Sequence, residues 1–166
     1  MKRYSVVSLP LMALAAAGMT VAATDKRVEE RVDKRIRAQV AAIVASLEKE
    51  GLPPEEVVDY ALEGTQKGGA PQVIMNGVRK WARDLRRARQ LLGPNASEDE
   101  VNAGAKAIRS GVDEAKLERF RHEKGSQQRY ATAMSTMTYL ITKGVPKDTA
   151  ANVLINVALA SASDAD

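Results

Sequence analysis

The sequence predicts an all-α protein, a compact array of six or seven helices. The chain of 166 residues has one Trp and one Phe, and it is rich in Ala, Leu, Glu, Lys and Arg, as helical proteins are. Apolar residues recur at spacings of three and four, and no stretch alternates as a β-strand does. Four short motifs, in which a glycine and an apolar residue precede Pro or Asp, mark helix ends. They begin at Gly51, Gly69, Gly111 and Gly144.

Residues 1–23 have the pattern of a signal peptide. Lys2 and Arg3 precede an apolar run, and the small residues up to Ala23 form a cleavage site. The run is shorter than the ~20 residues that a membrane span needs; a retained anchor is the alternative. The chain has no Cys, so it has neither a lipoprotein anchor nor disulfides, which favours a bacterial periplasm or medium. We therefore expect an exported mature chain without a transmembrane segment.

Residues 24–50 predict one long, charged N-terminal helix. Its first half is so highly charged that we expect it to project or fray, whereas the Ala-rich second half packs on the rest of the chain. One apolar line runs along the whole segment at spacings of three and four. It consists of Val28, Val32, Ile36, Val40, Ile43 and Leu47.

The helical array is predicted to span residues 51–166, organised around a helix at residues 71–92. Pro71 suits a first helical turn, and Gly93 followed by Pro94 ends the helix. Trp81 lies in the middle of its apolar stripe, so we expect this side chain to be buried. The stripe consists of Val73, Ile74, Val78, Trp81, Leu85, Ala88 and Leu92.

The other helices are predicted at residues 55–66, 98–110, 114–122, 127–143 and 147–160. Their junctions come in pairs, each bracketing one short helix. The pairs recur after 44 residues, from Pro53 to Ser97, and after 49 residues, from Ser97 to Pro146. This spacing indicates degenerate helix-turn-helix repeats.

Three stretches resemble an uncharacterised family of exported bacterial helical proteins. They are residues 57–64 (VVDYALEG), 67–71 (KGGAP) and 140–146 (LITKGVP). Proteins of this kind carry Lys-Gly-Val-Pro at such junctions, and the chain departs from that pattern at Gly69 and Ala70. The resemblance implies a helical fold and export, and it implies no activity.

The sequence offers no catalytic constellation, metal site or cofactor site. The chain has one His and no Cys, so it cannot build a soft metal site alone. We interpret His122 as a helix-end residue, where a cation is favourable. The acidic residues at positions 55–56 and 98–100 fall in first helical turns, where they offset the helix dipole. We therefore predict a non-enzymatic scaffold or interaction module of unknown ligand.

The alternative function rests on a basic cluster. Six cations and one acid, Asp84, lie between Arg79 and Arg89. This side is either a solvated helix face or a site for an anionic envelope polymer or nucleic acid. Trp81 belongs to the opposite stripe and is not placed to stack on bases. The candidate anion-binding residues are Arg79, Lys80, Arg83, Arg86 and Arg87.

The C-terminus carries a helix-start signal with no helix after it. Ser163 and Asp166 have the spacing of a capping box. One interpretation is a frayed polar tail, and the other is that the native product continues beyond Asp166. In the second case the last apolar stripe would be partly exposed. That stripe consists of Val153, Leu154, Val157 and Leu159.

Overall fold

Helices form the whole framework of the computed structural model, which describes residues 25–121 and 127–163. Within these residues there are eight helices and no strand, so the predicted all-α class is confirmed. The predicted signal peptide, His122 and the last three residues lie outside the described part. The helices are α1 (Lys26–Arg31), α2 (Arg37–Lys49), α3 (Glu55–Gln66), α4 (Pro71–Leu92), α5 (Glu98–Arg109), α6 (Glu114–Glu118), α7 (Gln127–Thr142) and α8 (Lys147–Ser163).

The major helices pack on their neighbours in the chain. α3 packs on α4, α4 on α5, α5 on α7 and α7 on α8. The two N-terminal helices pack on α3, with α2 also on α4, and the short α6 packs on α4. The result is the helical array that the sequence predicts. Among the described helices, none has both the length and the apolar character needed to cross a bilayer.

The central helix α4 has the predicted ends and a buried Trp81. It contacts α2, α3, α5 and α6, and the Trp81 side chain is 9% exposed. The predicted stripe is buried except at Val73, which is 63% exposed, so that part of the prediction is wrong. Val73 lies about 100° around the helix from Ile74, and Ile74 takes the buried position at this end of α4.

The single long N-terminal helix is also a wrong prediction. Val32 is extended, with φ −80° and ψ 143°, and it ends α1. Val28 and Val32 are at most 1% exposed, so the charged first half packs instead of projecting. Apolar residues four apart advance about 40° per step around a straight helix. The break at Val32 therefore lets the valines of both halves reach one core.

The backbone groups freed by this break find partners. The Asp33 N–H donates to Thr65 Oγ1 at 3.2 Å, which fixes the break against α3. The Arg37 guanidinium donates to the Val32 carbonyl at 2.9 Å. Because polar backbone groups near a core need such partners, the interruption is a stable joint between α1 and α2.

The helix junctions share one hydrogen-bond pattern. After α2, α3, α5 and α7 a glycine with positive φ follows the helix, and the next residue donates its N–H to the carbonyl five residues back, as in a Schellman motif. At the second junction this glycine is Gly68 (φ 68°) rather than the predicted Gly69. Gly69 takes the place of the usual apolar residue, and Ile74 lies against it. The donor–acceptor pairs are Leu52–Leu47, Gly69–Gly64, Val112–Ala107 and Val145–Leu140.

The start of α5 is as predicted, whereas α6 is shorter than predicted. Ser97 and Glu100 form the predicted capping box at the start of α5. The helix predicted at residues 114–122 ends at Glu118. The following turn, in which the Phe120 N–H donates to the Leu117 carbonyl, brings Phe120 into the core, where it is 1% exposed.

Candidate functional site

The predicted basic cluster divides into a paired half and an unpaired half. All five candidate residues lie on α4. Arg86 and Arg87, at the C-terminal end, form ion pairs with carboxylates of other helices or turns. The three at the N-terminal end form no ion pair with a described residue. We call the latter the basic triplet: Arg79, Lys80 and Arg83.

Arg86 joins α4 to the end of α2. Its guanidinium donates to both carboxylate oxygens of Glu50, at 2.7 and 2.6 Å, and to Ser46 Oγ at 3.1 Å. This contact holds the pKa of the Glu50 carboxyl at about 2. This pKa is lower than the ordinary value of 4.5. The pair therefore stabilises the fold fully above pH 4.5, and this stabilisation is lost as the pH falls from 4.5 to about 2.

Arg87 and Arg89 also have structural roles. Arg87 donates to the Glu114 carboxylate at 2.9 Å, which lowers the pKa of that group and ties α4 to α6. Arg89 donates to three backbone carbonyls, those of Gly51, Pro94 and Ala96. These cations are therefore engaged within the fold, and they offer less charge to a ligand than the sequence suggests.

The basic triplet is the part of the cluster that faces solvent without a carboxylate. All three side chains are exposed. Arg79 donates to the neutral Gln39 Oε1 at 3.0 Å. The side chains of Lys80 and Arg83 form no hydrogen bond or ion pair with a described residue. Their positions span one helical turn, so three positive charges lie within a short distance of each other.

The sequence analysis does not identify a second, buried polar cluster on α4. Asp84 is 9% exposed and accepts a hydrogen bond from Arg109 Nη1 at 3.1 Å. The Arg109 guanidinium carbon lies 4.1 Å from the centroid of the Trp81 ring. The sequence indicates that Asp84 is close to the core, because it follows Trp81 by three residues and so lies near the apolar stripe of α4. The cluster joins α4 to α5 by an ion pair and a cation–π contact.

A polar cleft of about 400 Å³ lies between α5 and α7. The Asn102 Oδ1 atom is enclosed there and has no hydrogen-bond partner among the residues that the structure describes. Lys106, at the edge, pairs with Glu56 at 2.6 Å. In the described residues no three His, Cys, Asp or Glu side chains are grouped as a metal site would need. The other lining residues are Asp99, Ala103, Ala131, Thr132, Ser135 and Thr136.

The α7–α8 hairpin has a different surface from the rest of the chain. Residues 130–142 and 149–163 contain no Asp, Glu, Lys or Arg, although 28% of the chain is charged. Among the described side chains four large hydrophobic residues are exposed, and three of them, Tyr139, Val153 and Val157, lie on this hairpin. Of the apolar stripe on the last helix, Val153 and Val157 are exposed and Leu154 is half-buried. The side chain of Leu159 lies outside the described part.

Comparisons of the chain with protein-family models, with curated proteins and with solved structures found no match. The resemblance to an exported bacterial helical family therefore stays a prediction.

Proposed function

We propose that the protein is an exported, non-enzymatic interaction module that binds a protein partner through its α7–α8 hairpin. The observation that carries this proposal is the scarcity of charge on the hairpin outside its turn. Residues 130–142 and 149–163 carry no Asp, Glu, Lys or Arg, and Tyr139, Val153 and Val157 are exposed to between 54% and 59%. Depletion of charge together with exposed apolar residues distinguishes the centre of a protein interface from ordinary surface. The non-enzymatic part rests on the sequence, which has no Cys and one His.

The chemistry of the hairpin defines the partner. Besides its apolar residues it exposes Thr, Ser and Asn side chains, which donate and accept hydrogen bonds without carrying charge. A complementary surface is then itself uncharged, with apolar side chains that fill the space beside the valines. The partner we propose is a protein that presents an uncharged helical face.

Photo-crosslinking tests this function. A photoreactive phenylalanine derivative is placed at Val157 and, as the matched control, at Val73, which is 63% exposed on α4. In the cells that produce the protein, illumination should join position 157 to one defined protein, which mass spectrometry identifies. Position 73 should give no such product. Absence of a product at position 157, or equal products at both positions, would refute the proposed interaction face.

Export is the second part of the proposal, and it is supported by the signal-peptide pattern of residues 1–23. We expect the mature protein to begin at Thr24 and to be found in a bacterial periplasm or in the medium. Intact-mass measurement of the protein from fractionated cells tests this expectation. A cytoplasmic product that still begins at Met1 would contradict it.

A second candidate function is binding of an anionic polymer by the basic triplet. The favouring observation is that Arg79, Lys80 and Arg83 are exposed and have no carboxylate partner among the described residues. Lys and Arg side chains bind phosphate or sulfate groups with an affinity that falls as salt rises. An envelope polymer or a nucleic acid would supply those groups.

Two variants with equal changes in charge test this candidate. R79Q/R83Q removes two cations of the triplet, and R86Q/R87Q removes two that are paired in the fold. The first should elute from a heparin column at clearly lower salt than the parent protein, with the free energy of unfolding changed by less than about 1 kcal/mol. The second should keep most of its retention. Equal losses in both variants would show that retention depends on net charge and not on this site.

A further inference from the structure

Two side-chain contacts define how α2 lies beside α4. Arg79 donates to Gln39 Oε1 at 3.0 Å, and Arg86 donates to Ser46 Oγ at 3.1 Å. The partners of each pair are 40 residues apart, so the two helices run in the same direction with a constant register. A straight groove therefore runs along the surface between them, and the Glu50–Arg86 ion pair bounds it at one end.

Arg83 lies at the middle of this groove, opposite apolar residues of α2. It follows Arg79 by four residues and precedes Arg86 by three, so the three arginines lie on one side of α4. By the same register, the positions of α2 opposite Arg83 are Ala42 and Ile43, whose side chains accept no hydrogen bond. Arg83 and Ala42 are both exposed. We call this surface the α2–α4 groove, and its residues are Gln39, Ala42, Ile43, Arg79 and Arg83.

The α2–α4 groove holds a local excess of positive charge. Arg79 donates to a neutral amide, and the side chains of Lys80 and Arg83 form no hydrogen bond or ion pair with a described residue. The carboxylate at the end of the groove, that of Glu50, is bound by Arg86. Arg79 and Arg83 are about 6 Å apart along α4. One phosphate group between them can therefore accept hydrogen bonds from both guanidinium groups.

The side chains of the groove fit a phosphate chain that carries no bases. Proteins that bind single-stranded nucleic acid stack successive bases on aromatic rings. Among the described residues one aromatic side chain, Tyr139 on α7, is a large exposed hydrophobic residue. Trp81 on α4 is 9% exposed and lies beneath Arg109. The exposed Ala42 and half-buried Ile43 offer instead a small apolar surface to the carbon atoms between phosphates.

We propose that the α2–α4 groove binds a sugar-phosphate or polyol-phosphate polymer of the bacterial envelope. This inference rests on the second candidate function and on export. It adds that α2 forms one wall of the site, and that Arg79 and Arg83 hold the phosphates with Lys80 beside them. Guanidinium groups match phosphate oxygens in a fork geometry, so the polymer binds with an affinity that falls as salt rises.

Substitutions at Ala42 test whether α2 forms part of the site. The probe is soluble polyglycerol phosphate, and calorimetry measures its binding at several salt concentrations. A42E places a carboxylate opposite Arg83, so it should weaken binding about tenfold and lower the salt slope by about one. Its stability should not fall, because the new carboxylate pairs with Arg83. A42Q has the same size without the charge, and it should bind within about twofold of the parent.

V153E is the matched control for net charge. It adds the same charge at an exposed position of α8, and a charge far from the groove is screened by salt. We therefore expect it to weaken binding by less than about twofold. Equal losses in A42E and V153E, or a loss in A42Q as large as that in A42E, would overturn the α2–α4 groove as the site.

Two comparisons separate this inference from the function on which it rests. If R79Q/R83Q loses heparin retention but the parent does not bind polyglycerol phosphate, or A42E binds as the parent does, the basic triplet still binds anions and the groove inference fails. If R79Q/R83Q keeps its retention, both fail. Oligothymidine with the same number of phosphates should bind no more tightly than polyglycerol phosphate. Binding about tenfold tighter would overturn the base-free polymer in favour of a nucleic acid.

Discussion

Replacing Trp81 with Ala is expected to lower the free energy of unfolding by about 3–5 kcal/mol. Trp81 is 9% exposed in the middle of α4, and the helices around it cannot close fully over the space that the indole leaves. The substitution also removes the aromatic face beneath the Arg109 guanidinium, 4.1 Å away. Asp84 and Arg109 would then hold their ion pair in a partly emptied, more hydrated site.

Urea unfolding is followed by circular dichroism, because the variant has no Trp whose fluorescence could report the transition. V73A is the control on the same helix. Val73 is 63% exposed, so its truncation should change stability by no more than about 0.5 kcal/mol. A W81A variant that loses less than about 1 kcal/mol would mean that the indole is not a core residue.

Replacing Phe120 with Ala should also cost about 3–5 kcal/mol. Phe120 is 1% exposed, and its ring lies 5.5 Å from that of Tyr130 in an edge-to-face arrangement. Because α6 has only five residues, tertiary packing rather than helix propensity holds it in place. Loss of the ring should therefore release α6 and the turn that follows it.

The comparison variant is F120L, which keeps most of the volume and should cost less than about 1.5 kcal/mol. A double-mutant cycle with Y130L isolates the contact between the two rings, and we expect a coupling of about 0.5–1.5 kcal/mol. Additive effects of the two substitutions would show that the rings act independently. Equal stability of F120A and F120L would contradict the core role of the ring.

The sequence predicted the ends of α3 and α4 correctly because local chemistry sets them. A proline begins α4, and glycines that adopt positive φ end α3 and other helices, and these preferences need no information from distant residues. The exchange of roles between Gly68 and Gly69 could not be predicted, because it depends on how Ile74 packs into the space beside them.

The break at Val32 and the engagement of the basic cluster escaped prediction because both depend on distant partners. Val32 ends α1 where Asp33 can bond to Thr65, which lies 32 residues further on. Arg86 pairs with Glu50 across 36 residues, and Arg87 pairs with Glu114 across 27. A charge pattern reveals which side of a helix is polar, but only the tertiary packing decides whether a carboxylate faces it.

The lack of charge on α7 and α8 can be recognised from the sequence alone, because residues 130–142 and 149–163 contain no Asp, Glu, Lys or Arg. Periodicity alone could not distinguish a buried apolar helix from one with an open side. In α8, Ile155 is fully buried while Val153 and Val157 are more than half exposed, and the three residues differ little in hydrophobicity. Their positions relative to α7 decide the difference.

Packing in chain order has a consequence for how the protein folds. Because α3, α4, α5 and α7 each pack on the major helix that follows them, most of the helix–helix packing joins segments that are close in the sequence. Proteins with such low contact order fold in microseconds to milliseconds, and neighbouring helix pairs can nucleate the process independently. α8 has its main packing partner only in α7, so it is the element that detaches first when the chain unfolds from its C-terminal end.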